Sequence, residues 1–329
     1  MVMASETEPL DVLTIGETVV DFISVEKTDT LSNASTFERH LGGSPANIAV
    51  YVSKLGGAAA VIAKTGIGAF GKFLKSELQR HGVSTEYLLM DHRTHTTVIF
   101  VSSTHATPDF EEFRSGDYLL RPEEISDEAI SRTKVVHAST FALSLEPCRS
   151  AVIGAFRRAR EMDKLVSLDP NYSRRVWPDH KEARGVIREA YRYVDVTKPS
   201  ADDARRIFGP GYEPEQYIEM FHDLGAATVV FTMGREGNLI SENGKITAQV
   251  PARPVEVVDA TGAGDAFWAG FLMATLEGNS AERSVHFARE IVERKLATKG
   301  TLPSEIDREE VHASLQGNQD GWKRARGRD

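Results

Sequence analysis

From residue 135 onward the chain alternates short apolar runs with helical periods, and this rhythm restricts the fold more than any other feature. Residues 135–138, 165–169, 194–198 and 228–232 read as buried strands. Residues 147–162, 181–191, 201–208 and 213–224 carry helical spacing. Buried strands that alternate with amphipathic helices predict an α/β fold: a mostly parallel central sheet with helices on both faces, in three layers. Upstream, residues 11–17 and 19–25 are strand-like, and apolar spacing turns helical from Ala46 (Ile48, Ala49, Val52, Leu55) until Gly56-Gly57. A strand at 58–64 and a helix at 72–81 follow. Two segments, 17–40 and 93–120, break the rhythm and read as strand pairs outside the main sheet, a small β-strand lid. One domain is expected over 10–315, with flexible ends at 1–9 and 316–329.

Composition narrows the function classes. The 329 residues suffice for a large core, and 41% hydrophobic with 26% charged residues is the balance of a soluble globular chain. A net charge of −9 argues against a nucleic-acid partner. With a single cysteine, Cys148, no intrachain disulfide can form, so a reducing, cytoplasmic setting is the expectation. No apolar run reaches the roughly 18 residues of a membrane span, and the start is polar rather than leader-like.

The chemistry concentrates in Asp259-Ala260-Thr261-Gly262-Ala263-Gly264-Asp265-Ala266-Phe267. A strand-like stretch, 255–258, precedes it and an apolar helical run follows, so it reads as strand, glycine turn and helix N-terminus. Free amides at such a terminus bind anions, and glycines let a ligand approach the backbone. Asp265 would repel a phosphate that was merely cradled. It makes sense as a base that takes a proton from a hydroxyl attacking phosphorus. The same residues also admit an ordinary turn with Asp265 capping the helix.

A second glycine cluster, Gly66-Ile67-Gly68-Ala69-Phe70-Gly71, fits G-x-G-x-x-G, with Asp91 at the spacing of a ribose-binding acid. It supports an alternative, an NAD(P)-dependent oxidoreductase using Gly66, Gly68 and Gly71. That reading leaves the glycines at 42–43 and 262–264 without a role. Phe73 stands where a P-loop needs a hydroxyl, so a Walker-type site fails.

Gly42-Gly43-Ser44-Pro45-Ala46-Asn47-Ile48-Ala49 with Leu55-Gly56, and the 259–267 stretch about 210 residues later, resemble the two signatures of the ribokinase-like (PfkB) carbohydrate kinases. The resemblance spans about residues 10–315. Leu143-Ser144-Leu145-Glu146-Pro147 and Asp169-Pro170-Asn171-Tyr172 with Trp177 are most similar to fructokinases and 2-keto-3-deoxygluconate kinases. It implies transfer of the ATP γ-phosphoryl group to a hydroxymethyl group, with Asp265 as base and the amides of Gly262, Ala263 and Gly264 as anion hole. It places Asp21, Gly42, Gly43, Asn47, Arg114, Asn171 and Arg174 at the sugar, and Lys198, Ser200, Thr232, Gly234 and Gly237 at the nucleotide. Asp21 also admits a turn role and Asn47 a helix cap. Arg114 reads equally as a solvated strand residue.

For Mg2+ the resemblance offers Asp203, a methylene shorter than the family's glutamate and therefore suited to contact through water. For a monovalent cation such as K+ it offers Asp259, Thr261, Gly300 and Ser304. Two converging arginines would favour a carboxylate-bearing sugar acid; one suits a neutral ketohexose. The lid's exposed strand edges predict a homodimer. A non-catalytic sugar- or nucleotide-binding module of the same fold is a further alternative, disfavoured because Gly262–Gly264 and Asp265 are all retained.

Overall fold

The computed structural model describes residues 9–104, 109–298, 300, 302 and 306–315. Nearly all of the two expected flexible ends, and Ser304, lie outside the described residues. Strands β1 (Leu10–Ile15), β2 (Val19–Lys27) and β3 (Phe37–Gly42) lead into helix α1 (Ser44–Lys54). Then come β4 (Ala59–Gly66), α2 (Ala69–Arg80), β5 (Leu88–Asp91), β6 (Val98–Ser103), β7 (Phe110–Phe113) and α3 (Asp127–Ser131). The alternating part runs β8 (Thr133–Ser139), α4 (Cys148–Glu161), β9 (Leu165–Asp169), α5 (His180–Tyr191), β10 (Val196–Thr197), α6 (Ala201–Phe208), α7 (Pro214–Leu224) and β11 (Thr228–Thr232). A hairpin, β12 (Asn238–Glu242) and β13 (Lys245–Val250), precedes α8 (Ala263–Leu276) and α9 (Ala281–Leu296).

The main sheet has nine strands in the order β13-β12-β11-β10-β9-β8-β1-β4-β5. It is parallel from β11 to β5, and only the hairpin runs antiparallel. One apolar core lies on each face, which is why a strand such as β4 is buried along its whole length. Helix α8 is apolar all round, buried from Ala266 to Ala274, and packs between α1 and α9.

The early segments that broke the rhythm form a separate four-stranded sheet, β3-β2-β6-β7. Phe22 stacks on Phe100 there, Phe37 and Phe113 meet Phe100 edge-to-face, and Phe70 of α2 meets Phe22 at the edge. The last strand is short: β7 ends at Phe113, and Gly116 and Asp117 are tied to His95 and Thr97. No strand forms at 255–258, where the Val258 amide donates to the Leu296 carbonyl (2.8 Å) instead of to a neighbouring strand.

Strand order reverses direction at β1, whose neighbours are β4 and β8. In parallel sheets ligands gather at the carboxyl ends around such a switch. Here those ends carry Glu17, Ser139, Asp169, Lys198 and Thr232 in a row.

Candidate active site

The N-terminus of α8 opens onto this row. Its cap, Gly262, is left-handed (φ 71°) and supplies no capping side chain. That φ strains any residue with a Cβ, and a Cβ there would also press on the Tyr51 hydroxyl at 3.0 Å. The Ala263 amide, expected in the anion hole, donates to the Ala260 carbonyl (3.1 Å), whereas the amides of Gly264 and Asp265 meet no acceptor among the described residues. These unpaired donors, at the positive end of a 14-residue helix, suit an anion.

Lys198, buried at the end of β10, strengthens that polarity. Its Nζ lies 3.3 Å from where a Cβ on Gly264 would be and 3.0 Å from Asp169 Oδ2. Burial opposes the ammonium, but Asp169, Asp203 and Asp265 outweigh it and hold its pKa above the usual lysine value. Burial in turn lifts Asp169 to about 6, with Lys198 working against the rise.

Asp265 is half-buried in the first turn of α8. Ser44 Oγ donates to its Oδ1 (2.7 Å) and Asn47 Nδ2 to its Oδ2 (2.9 Å). Both donors sit in the first turn of α1, which begins at Ser44 with Pro45 in place; Asn47 therefore lies inside the helix and does not cap it. Burial raises the Asp265 pKa, while Ser44, Asn47 and Lys198 restrain it. Asn47, expected to grip the sugar, spends one amide proton on the aspartate. Ser44 is the residue whose role sequence reasoning missed.

Asp21, on β2, faces the same space. No described group donates to its carboxylate, and burial together with the field of Asp265 pushes its pKa up to about 7. A Cβ on Gly42 would collide with that carboxylate, so the glycine is what lets β3 cross it. Below lies Glu17, also not foreseen. Ser139 Oγ donates to its Oε1 (2.8 Å), its Oε2 has no partner among the described residues, and burial pushes its pKa to about 8.

The arginines do not converge. Arg114, expected as a lid arginine free to reach substrate, is pinned at the lid–body junction. Its Nε and Nη2 donate to Asp117 Oδ2 (2.8 and 2.6 Å), its Nη1 donates to Ser144 Oγ (2.6 Å), and its guanidinium stacks on Phe141. Asn171 and Arg174 are exposed, and Arg174 makes no hydrogen bond to another site residue. The neighbouring Arg175 ties this turn to the lid by donating to Asp109 Oδ1 (2.7 Å) and to the Phe110 carbonyl (2.9 Å).

The expected nucleotide residues lie side by side. The Thr232 amide donates to the Pro199 carbonyl (2.9 Å), and Gly234 and Gly237 bracket a tight turn directly after β11. Ser200 caps α6, and Asp203, expected near Mg2+, takes part in that cap. Asp203 Oδ2 accepts from the Ser200 amide (3.0 Å) and hydroxyl (2.5 Å), and its Oδ1 from the Tyr172 amide (2.7 Å). Its oxygens are occupied by protein donors, and no acidic or imidazole cluster able to hold a metal occurs among the described residues.

Two glycines of the G-x-G-x-x-G turn serve packing. A Cβ on Gly71 would collide with the Gly66 carbonyl, and one on Gly66 would lie 2.7 Å from the Thr94 carbonyl. Asp91, the would-be ribose acid, pairs instead with Arg93 (3.0 and 2.9 Å). The turn lines a cleft of about 670 Å³ that Arg114, His95 and Phe113 close from the lid side.

The profile described as "pfkB family carbohydrate kinase" matches residues 10–305. The chain is 38% identical over 296 residues to a protein named ATP-dependent 6-phosphofructokinase from Thermoanaerobacterium thermosaccharolyticum, with 89% of each chain covered. Among solved structures it is similar to the fructokinase of Halothermothrix orenii, with a TM-score of 0.76, 38% identity, and coverage of 89% of this chain and 100% of that one. It is also similar to an uncharacterized sugar kinase from Pyrococcus horikoshii solved with ATP, with a TM-score of 0.81, 27% identity, and coverage of 91% and 96%.

Proposed function

The chain belongs to the pfkB family of carbohydrate kinases and is a sugar kinase, and from that premise we propose that it transfers the γ-phosphoryl group of ATP to a hydroxymethyl group of a neutral ketohexose. One observation carries the reading. A carboxylate held by two donors, Ser44 and Asn47, stands in the first turn of a helix whose Gly264 and Asp265 amides are unpaired among the described residues and flanked by a buried ammonium.

In this reading Asp265 is the general base. Its deprotonated oxygens take the proton of the attacking hydroxyl as the oxygen closes on phosphorus. The amides of Gly264 and Asp265, with Lys198, stabilise the charge on the transferring group where water is excluded. Ser44 and Asn47 fix the carboxylate so that no reorientation is needed at the moment of transfer. Asp21, with no donor among the described residues, takes sugar hydroxyls, with Gly42 and Gly43 leaving room for the ring. Thr232, Gly234 and Gly237 border the nucleotide. Mg2+, bound with the nucleotide, would offset phosphate charge.

The choice of a neutral sugar over a 2-keto-3-deoxy sugar acid rests on the arginines. Arg114 is already paired with Asp117 and Arg174 lies exposed, so no free guanidinium pair awaits a carboxylate. ADP release measured with D-fructose, other ketohexoses, fructose 6-phosphate and 2-keto-3-deoxygluconate tests this. Turnover is expected with a neutral ketohexose; preference for the sugar acid or the phosphorylated sugar would overturn the substrate assignment. The lid leaves Val25 and Phe113 exposed, and pairing of two lids in a homodimer is the expected assembly, checked by light scattering.

A further inference from the structure

Lys295, in the last turn of α9, is fully buried (0% exposed). Its Nζ donates to the Asp259 carbonyl (3.0 Å) and lies 3.4 Å from Asp259 Oδ2 and 3.5 Å from the Thr298 carbonyl. These oxygens belong to the region where a monovalent cation was expected beside Asp259, Thr261 and Gly300. The same carboxylate accepts from the Thr261 amide at Oδ1 (2.9 Å) and from the Gly300 amide at Oδ2 (2.9 Å). Burial works against its charge, but those amides and Lys295 prevail and hold Asp259 below the usual carboxylate range. The residues present therefore do not fit K+, because a side-chain ammonium already stands among the acceptor oxygens.

We propose that Lys295 is a built-in cation that replaces an exchangeable monovalent ion behind the anion-binding turn, making turnover independent of K+. The charge balance is closed: one ammonium meets one carboxylate at the C-terminal end of α9, where the helix dipole also favours a positive charge. A second cation placed beside Nζ would meet the repulsion of the ammonium. The clamp has mechanical reach. The Leu296 carbonyl accepts from the amides of Val258 (2.8 Å) and Asp259 (3.3 Å), and Asp259 lies three residues before Gly262 and six before Asp265. Lys295 is thus a positioning residue that ties α9 to the turn presenting the α8 amides. This role rests on the proposed catalytic reading of that turn.

The test compares KCl with tetramethylammonium chloride at equal ionic strength, in the wild type and in Lys295→Met. Wild-type turnover should agree within about twofold between the salts, and its Tm should not move. Lys295→Met should lose at least tenfold in tetramethylammonium, recover with K+, and gain about 2 °C or more in Tm when K+ is added. Saturable activation of the wild type by K+ beyond fivefold would overturn the proposal, as would a variant with full turnover in tetramethylammonium. The melting curves decide the matter without turnover: K+ stabilising the wild type contradicts the proposal. Should the variant not fold, the wild-type salt comparison alone still decides. A wild type that releases no ADP in either salt refutes the kinase assignment but leaves the Tm comparison standing.

Discussion

Ser44 offers the sharpest handle on how the catalytic carboxylate is tuned. Its hydroxyl donates to Asp265 Oδ1 at 2.7 Å, while Asn47 independently holds Oδ2. Ser44→Ala removes one charge-assisted hydrogen bond and leaves the helix start, with Pro45 beside it, intact. Hydrogen bonds to charged groups contribute roughly 1.5–3 kcal/mol. Because this bond favours the ionised form, its loss raises the Asp265 pKa by that energy divided by about 1.4 kcal/mol per unit, or roughly one to two units. The base must be ionised to work, so the acidic limb of the kcat/KM profile moves up by the same amount. Well below that limb the variant is expected to be about 10- to 100-fold slower; on the alkaline plateau it should lie within about threefold of the wild type. The assay is initial-rate ADP release from pH 5 to 9. A limb that superimposes on the wild type while the plateau drops would show that Ser44 does not set the ionisation of Asp265, and would refute the tuning argument.

Three further outcomes follow from neighbouring geometry. Glu17 binds a proton in the folded state up to a pKa of about 8, far above its ordinary 4.5, so folding stability is fully present at low pH and is lost as pH rises through 8, by at most about 1.4 kcal/mol per unit; Glu17→Gln should flatten that fall in Tm, and parallel curves for the two proteins between pH 5 and 8 would contradict it. Asp203→Asn should lower stability by about 1–3 kcal/mol through the loss of acceptors at the α6 cap, with the Mg2+ requirement unchanged; a normal denaturation midpoint with a raised Mg2+ requirement would restore Asp203 to the metal. Gly42→Ala drives a methyl group into the Asp21 carboxylate, so the sugar KM should rise at least tenfold while the nucleotide KM stays level; an unchanged sugar KM would remove Asp21 from the sugar site.

Local chemistry was readable where it acts over a few residues. Helix α6 runs from Ala201 to Phe208, as its spacing predicts, because Ser200 and Asp203 form a capping box and Gly209 ends it with φ 101°. The Asn243-Gly244 pair of the β12–β13 hairpin, with φ 50° and 78°, was an unused signal of the same kind. What stayed hidden depends on distant partners. Ser44 and Asp265 lie 221 positions apart, and Arg114 reads as a lid arginine until Asp117 and Ser144 are seen to hold it. Val255 to Val258 have strand composition but no neighbouring strand. Lys295 shows no motif at all; only the fold brings its amine to Asp259.

Phosphoryl transfer by Asp265→Asn, followed as ADP release alongside calorimetric binding of ketohexose and nucleotide, tests the central assignment most directly. Asparagine keeps the side-chain shape but cannot take the hydroxyl proton. Turnover should drop by about 100- to 10,000-fold, the range of general-base catalysis, with both dissociation constants within about threefold of the wild type. Turnover above a tenth of the wild-type rate would contradict the account.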